Sequence, residues 1–184
     1  MLKVVMRAEF VEGNIVIFNK EDARRLYALG YYGKPLGISK PKELNFDEPL
    51  VLDLIEALYL HDEGELTVYK NNKALSREEL ENLGKEYYSR FSELYIVYKD
   101  LRKRGFIVTP GIKFGSDFAV YKHGPGIDHA PFIVQVKTIN DYIHATELVR
   151  AGRLATTVRK NFIIAIPDLM AEKVRYLVFS WVKF

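Results

Sequence analysis

Apolar and polar positions alternate over Leu2–Met6 and again over Asn14–Phe18, on either side of Glu12-Gly13. A period of two around a turn predicts a pair of strands. Asn19 can cap a helix over Lys20–Leu29 that stops at Gly30. The stretch Tyr31–Phe46, broken by Pro35, Gly37 and Pro41, predicts irregular chain. Leu50, Leu52, Leu54, Ile55 and Leu58 then make the apolar face of a helix expected over Glu48–His61, with Pro49 in its first turn and Gly64 after it. Glu65–Lys70 reads as a short strand. Ser76-Arg77-Glu78-Glu79 is a capping box that opens a helix through about Ser89.

The second half carries stronger strand signals. A helix over Ser92–Arg104 ends at Gly105 with basic residues in its last turn, where the helix dipole favours cations. Phe106–Thr109 and Pro110-Gly111 follow, and strands are expected near Ile112–Lys113, at Asp117–Lys122 and at Phe132–Thr138. A helix over Thr146–Val158 separates these from two β-prone closing strands, Phe162–Ile166 and Val174–Val182. The chain thus reads as two modules, 1–87 and 88–184, joined by helix rather than by a flexible linker. Mixed strands with flanking helices predict an α/β or α+β fold of nuclease-like type. Neither an internal repeat nor a low-complexity tract interrupts the pattern.

Composition narrows the class. With 48% hydrophobic and 28% charged residues in 184, the balance is that of a globular protein. No apolar run approaches the roughly 18 to 20 residues that span a bilayer. The opening Met1–Arg7 is too short and too alternating for a signal peptide, so a cytoplasmic protein without membrane attachment is expected. Cysteine is absent, which removes disulfides, a thiolate nucleophile and Cys-ligated zinc. Glutamine occurs only at Gln135, and scarce thermolabile residues beside abundant Lys, Arg and Glu fit a thermophile. The net charge of +3 permits nucleic-acid binding without demanding it. The basic residues of the last stretch (Arg150, Arg153, Arg159, Lys160, Lys173, Arg175, Lys183) outnumber its acids, whereas Asp47–Glu81 is acid-rich.

The candidate chemistry gathers at Gly115–Phe132, read G-S-D-F-A-V-Y-K-H-G-P-G-I-D-H-A-P-F, with Lys160 further on in V-R-K-N. This is a strand, a Gly/Pro-rich loop and a second strand. Tyr121 stands at the loop's start and His129 near its end. Tyr, His and Lys together can move protons around a phosphodiester and stabilise its charge without a metal. RNA is the natural target, because its 2′-hydroxyl supplies the nucleophile. Each residue also has a plain structural reading: a half-buried strand tyrosine, an idle loop histidine, a cation at a helix C-terminus. His61, His123 and His144 are equally available on chemistry alone. A rigid Gly124-Pro125-Gly126 loop between two strands can hold side chains over a ligand, or be simply a long hairpin loop. Asp117 followed by Gln135-Val136-Lys137 imitates the acid and (D/E/Q)-x-K pattern of metal-dependent restriction-type nucleases. Gln in place of a carboxylate weakens binding of a hard cation.

Gly111–Tyr121 (G-x-K-F-G-x-D-F-x-V-Y), His129–Phe132 (H-A-P-F), Val158–Lys160 (V-R-K) and Tyr98–Gly105 (Y-x-D-L-R-K-R-G) resemble the archaeal tRNA-intron splicing endonuclease family. Tyr32–Lys34 (Y-G-K) and Glu56–Leu60 (E-A-L-Y-L) are similar to its N-terminal domain, so the resemblance covers nearly the whole chain. It implies a small N-terminal α/β domain followed by a restriction-endonuclease-like C-terminal nuclease domain with a mixed sheet. It implies a triad at Tyr121, His129 and Lys160 that cuts precursor tRNA at bulge–helix–bulge junctions. Tyr121, with a free pKa of about 10, would take the 2′-hydroxyl proton if a cation such as Lys160 favours its ionised form. The O2′ would attack phosphorus in line. His129, with a reference pKa near 6.5, would protonate the leaving 5′-oxygen, and Lys160 would stabilise the phosphorane. The products would be a 2′,3′-cyclic phosphate and a 5′-hydroxyl, with no cofactor or metal. The resemblance further implies that Arg153 and Arg175 sandwich a flipped bulge base, and that the chain works in a tetramer, either of itself or with a related structural subunit. The family docks dimers partly through an acidic loop before the last strand; here Pro167–Glu172 holds only two acids, Asp168 and Glu172, which leaves room for a different partner chain. The closing segment Tyr176–Phe179 offers an apolar pairing edge. A non-catalytic RNA-binding or structural subunit of the same endonuclease is the alternative from another class.

Overall fold

The computed structural model describes residues 5–38, 44–112, 115–127, 130–157 and 160–179. Contacts divide the chain into two units, Met1–Phe91 and Ser92–Phe184.

The first unit is built on a six-stranded sheet in the order β3-β4-β2-β1-β5-β6. Glu12 and Gly13 both have positive φ (47° and 85°). Such a two-residue turn matches the right-handed twist of its flanking strands, and it pairs β1 (Met6–Val11) with β2 (Asn14–Ile17). Among the described residues the first strand runs from Met6 right up to the turn; Leu2–Val4, where alternation also predicts strand, lie outside the described residues. Asn19 caps α1 (Lys20–Gly30), accepting from the Glu21 and Asp22 amides. The short strand β3 (Lys34–Pro35) lies inside the stretch expected to be irregular. β4 (Leu50–Leu52) occupies the start of the helix expected from Glu48. The reason is local: Asp53 and Glu56 form a capping box, so α2 (Leu54–Asp62) starts only at Leu54. Glu56 is buried; its carboxylate accepts from the Gly33 amide (3.1 Å) and the Asp53 amide (3.0 Å). Tyr88 donates to Asp53, and burial, followed by the Asp53 charge, raises the Tyr88 phenol well above its usual range. β5 (Leu66–Lys70) runs parallel to β1, β6 (Lys73–Ala74) closes the sheet edge, and α3 (Arg77–Tyr87) follows the Ser76 capping box.

The second unit holds a five-stranded sheet in the order β11-β10-β9-β8-β7. Its elements are α4 (Phe91–Lys103, whose first residue still belongs to the first unit), β7 (Ile107–Pro110), β8 (Phe118–Tyr121), β9 (Phe132–Val136), α5 (Ala145–Thr157), β10 (Asn161–Asp168) and β11 (Lys173–Phe179). Ile112, expected near a strand, lies outside β7 and β8; Lys113 is outside the described residues. β9 and β10 are parallel while every other pair is antiparallel, so the sheet is mixed and α5 is the crossover. α4 covers one face. Tyr98 packs on Phe118 (ring centroids 6.0 Å), and the Tyr176 hydroxyl donates to Asp100 (2.6 Å). The opposite face carries Lys137, whose ammonium meets Glu147 of α5. Among the described residues no helix is long and apolar enough to cross a membrane.

Candidate active site

Strand register decides which side chains share a neighbourhood here. Val120 of β8 lies opposite Phe132 of β9, and Phe132 lies beside Asn161 of β10. One step outward along each strand, the next row reads Tyr121, Pro131, Lys160. Side chains alternate faces along a strand. Phe118 and Val120 point toward α4, so Tyr121 and Lys160 both stand on the α5 face. Two strand spacings separate their backbones, about 10 Å. Both side chains are half-buried.

Two glycines shape the loop between β8 and β9. Gly124 (φ 129°) and Gly126 (φ 95°) occupy backbone regions that other residues avoid. The Ile127 amide donates to the Gly124 carbonyl (3.1 Å) and closes a turn around Pro125. Lys122 and His123 are exposed at the loop's start. His129 lies outside the described residues, as does Asp128. At the loop's end, Ala130 is buried and Lys160 Nζ donates to its carbonyl oxygen (2.5 Å). The Asn161 amide donates to the Pro131 carbonyl (2.8 Å). The loop's last residues are thus tied to the start of β10 by a side-chain bond and a backbone bond in succession.

The two arginines stand apart from this row. Arg153 is exposed on α5. Arg175 is exposed on β11 opposite Ile166, six positions beyond Lys160 along β10, about 20 Å at the rise of a strand. Within one chain, Tyr121 and Lys160 share a row while Arg175 lies toward the other end of the same face.

Asp117 and Lys137 belong to that other end. Asp117 Oδ2 accepts from Gln135 Nε2 (2.7 Å) and from the Val136 amide (2.7 Å), which ties β8 to β9. Lys137 Nζ bonds Glu147 Oε1 at 2.9 Å, and Glu147 also accepts from the His144 amide (3.1 Å) at the start of α5. The Lys137 hydrogen bond, then that of the His144 amide, holds the Glu147 carboxyl below its usual range. Among the described residues, no three His, Cys, Asp or Glu side chains are grouped to hold a metal ion. The sequence reading overlooked the Ala130 carbonyl, because a main-chain acceptor leaves no mark in residue type. The only hint was the proline that follows it. The Glu147 partner of Lys137 was overlooked too, since it comes from a different element.

A mixed sheet with a crossover helix thus sets Tyr121 and Lys160 in one row beside a glycine loop, and family models say what kind of domain this is. Residues 91–176 match that of the tRNA intron endonuclease, catalytic C-terminal domain, and residues 6–81 match that of the tRNA intron endonuclease, N-terminal domain. The chain is 48% identical over 180 residues to the tRNA-splicing endonuclease of Hyperthermus butylicus, covering 97% of this chain and 99% of that protein. It is 45% identical over 179 residues to that of Sulfurisphaera tokodaii, with coverage of 97% and 99%, and 41% identical over 181 residues to that of Saccharolobus islandicus, with 97% and 100%. The chain belongs to the archaeal tRNA-intron splicing endonuclease family and is an enzyme of it.

Proposed function

We propose that this chain is the catalytic subunit that excises introns from precursor tRNA in the cytoplasm, cutting at bulge–helix–bulge junctions by metal-free attack of a 2′-hydroxyl. Tyr121 is the general base, His129 the general acid, and Lys160 the cation that favours the ionised tyrosine and stabilises the phosphorane. Arg153 and Arg175 stack on a flipped bulge base. The observation that carries the reading is the shared row and face of Tyr121 and Lys160, which can place a base and a cation on the same phosphodiester. The position of the H-A-P-F motif at the end of the loop supports His129 as the third member. The distance from Lys160 to Arg175 within one chain favours an assembly in which several chains meet one RNA. We assign that assembly to four chains, alike or with a structural subunit. Residues 1–87 form the N-terminal domain and residues 88–184 a restriction-endonuclease-like catalytic domain.

The test is cleavage of a bulge–helix–bulge RNA by the purified chain in excess EDTA, with the product ends identified. Cyclic-phosphate and 5′-hydroxyl ends are expected. Cutting only with Mg²⁺ and with 5′-phosphate ends would remove the triad and promote Asp117 and Lys137. No cutting under either condition would point to a missing partner chain or a binding role.

A further inference from the structure

The end of the β8–β9 loop is more tightly specified than a loop needs to be. Three consecutive residues are tied to the start of β10: Ala130 through the Lys160 ammonium (2.5 Å), Pro131 through the Asn161 amide (2.8 Å), and Phe132 through its pairing with Asn161. Ala130 is 2% exposed. A carbonyl buried to that extent needs a hydrogen-bond partner, and a charged donor makes the strong kind of bond. The residue after Ala130 is a proline. Its ring clashes with an α-helical conformation at the preceding residue and holds that residue extended. It also fixes its own φ. The direction of the Ala130 carbonyl is therefore set locally, by the covalent neighbour, before Lys160 meets it from 30 positions away.

We propose that Pro131 is a positioning residue for the reaction. It locks the Ala130 carbonyl in the direction that seats the Lys160 ammonium, and so fixes where that charge stands relative to Tyr121. This rests on the function proposed above and extends it to a residue with no ionisable group. Without the proline, the Ala130 peptide gains freedom and its carbonyl turns. The lysine side chain, with several rotatable bonds, then loses this anchor and gains rotamer freedom. The charge stays in the molecule but loses its address. The expected defect falls on the chemical step rather than on RNA binding.

The full chain with isotope-labelled lysine serves as wild type, Pro131→Gly and the milder Pro131→Ala, with Lys160→Ala used to assign the Lys160 ammonium signal by its loss. Two quantities are read: proton exchange of that ammonium by NMR, and kcat and KM on a bulge–helix–bulge RNA. The expected result is a slowly exchanging Lys160 ammonium in wild type that exchanges freely in Pro131→Gly. With it, kcat falls roughly 10- to 100-fold while KM stays within about twofold. Pro131→Ala should fall between, and it decides the matter should the glycine variant not fold. Unchanged exchange and unchanged kcat in a folded variant would overturn the inference. A purely structural role would lower the melting temperature and leave kcat per folded molecule unchanged, and this too overturns it. Should wild type fail to cut RNA, the proposed function falls. The exchange measurement alone then decides whether Pro131 seats Lys160, which separates the two failures.

Discussion

The α5 face of the catalytic sheet has two polar ends, and they are built differently. At one end, Asp117, Gln135, Lys137 and Glu147 satisfy one another: carboxylate with amide, ammonium with carboxylate. At the other, Lys160 sits on a backbone carbonyl, in the same row as Tyr121. A carboxylate offsets an ammonium's charge, whereas a carbonyl is a neutral acceptor that orients the ammonium. The first arrangement suits a structural clasp. The second orients the lysine proposed to act at the phosphate. Residue type alone would have made both ends candidates, and partner chemistry separates them.

The largest effect should come from the Tyr121 end. Tyr121→Phe removes one hydroxyl and is expected to lower cleavage by about 100- to 10,000-fold while sparing RNA binding, measured by single-turnover kinetics beside a gel-shift titration. Near-normal cleavage would take the base role away from Tyr121. At the opposite end, Asp117→Ala should leave kcat per folded molecule unchanged but destabilise the fold by about 1 to 3 kcal/mol, because a part-buried backbone amide and the Gln135 side chain lose their acceptor. Urea unfolding followed by circular dichroism would read it. Lost cleavage at unchanged stability would reverse the contrast between the two ends. Arg153→Ala or Arg175→Ala should weaken binding of bulged RNA by about tenfold each, the scale of one cation–π stack, with a duplex lacking bulges bound equally by variant and wild type.

How far the residues foretold this can be traced element by element. Helix starts were the most legible, since Asn19 and Ser76 cap where a side-chain acceptor precedes an amphipathic run. Asp53 escaped notice, because Leu50, Leu52, Leu54, Ile55 and Leu58 satisfy a helical period even though Leu50 and Leu52 belong to a strand with alternate burial. A short apolar run fits both periods, and the cap that decides between them is one residue. In the site, Tyr121 and Lys160 were named from residue type and motif. Their shared row came only from the pairing of β8, β9 and β10, in which Asn161 meets Phe132 from far along the chain. The Ala130 carbonyl is marked in the sequence only by the proline that follows it, so its bond to Lys160 was open only to structure.

The smallest expected effect concerns the clasp between Lys137 and Glu147, and its sign can be worked out. The Lys137 hydrogen bond, followed by that of the His144 amide, lowers the Glu147 carboxyl from its ordinary value of 4.5 in the folded chain. A group whose folded value lies below its unfolded one stabilises the fold above the unfolded value and loses that contribution as pH falls through the folded value. Glu147→Gln should therefore lower the melting temperature slightly at pH 7. The difference from wild type should shrink below about pH 4 and disappear once both states of the wild-type carboxyl are protonated. The pair is partly solvated, with Glu147 side-chain exposure of 42%, so salt should shrink the effect as well. Cleavage at pH 7 should be unchanged, since this end of the face holds structure. A variant that lost cleavage while keeping its melting temperature would instead make the Lys137 end part of the chemistry, and the two ends of the sheet would no longer divide into clasp and site.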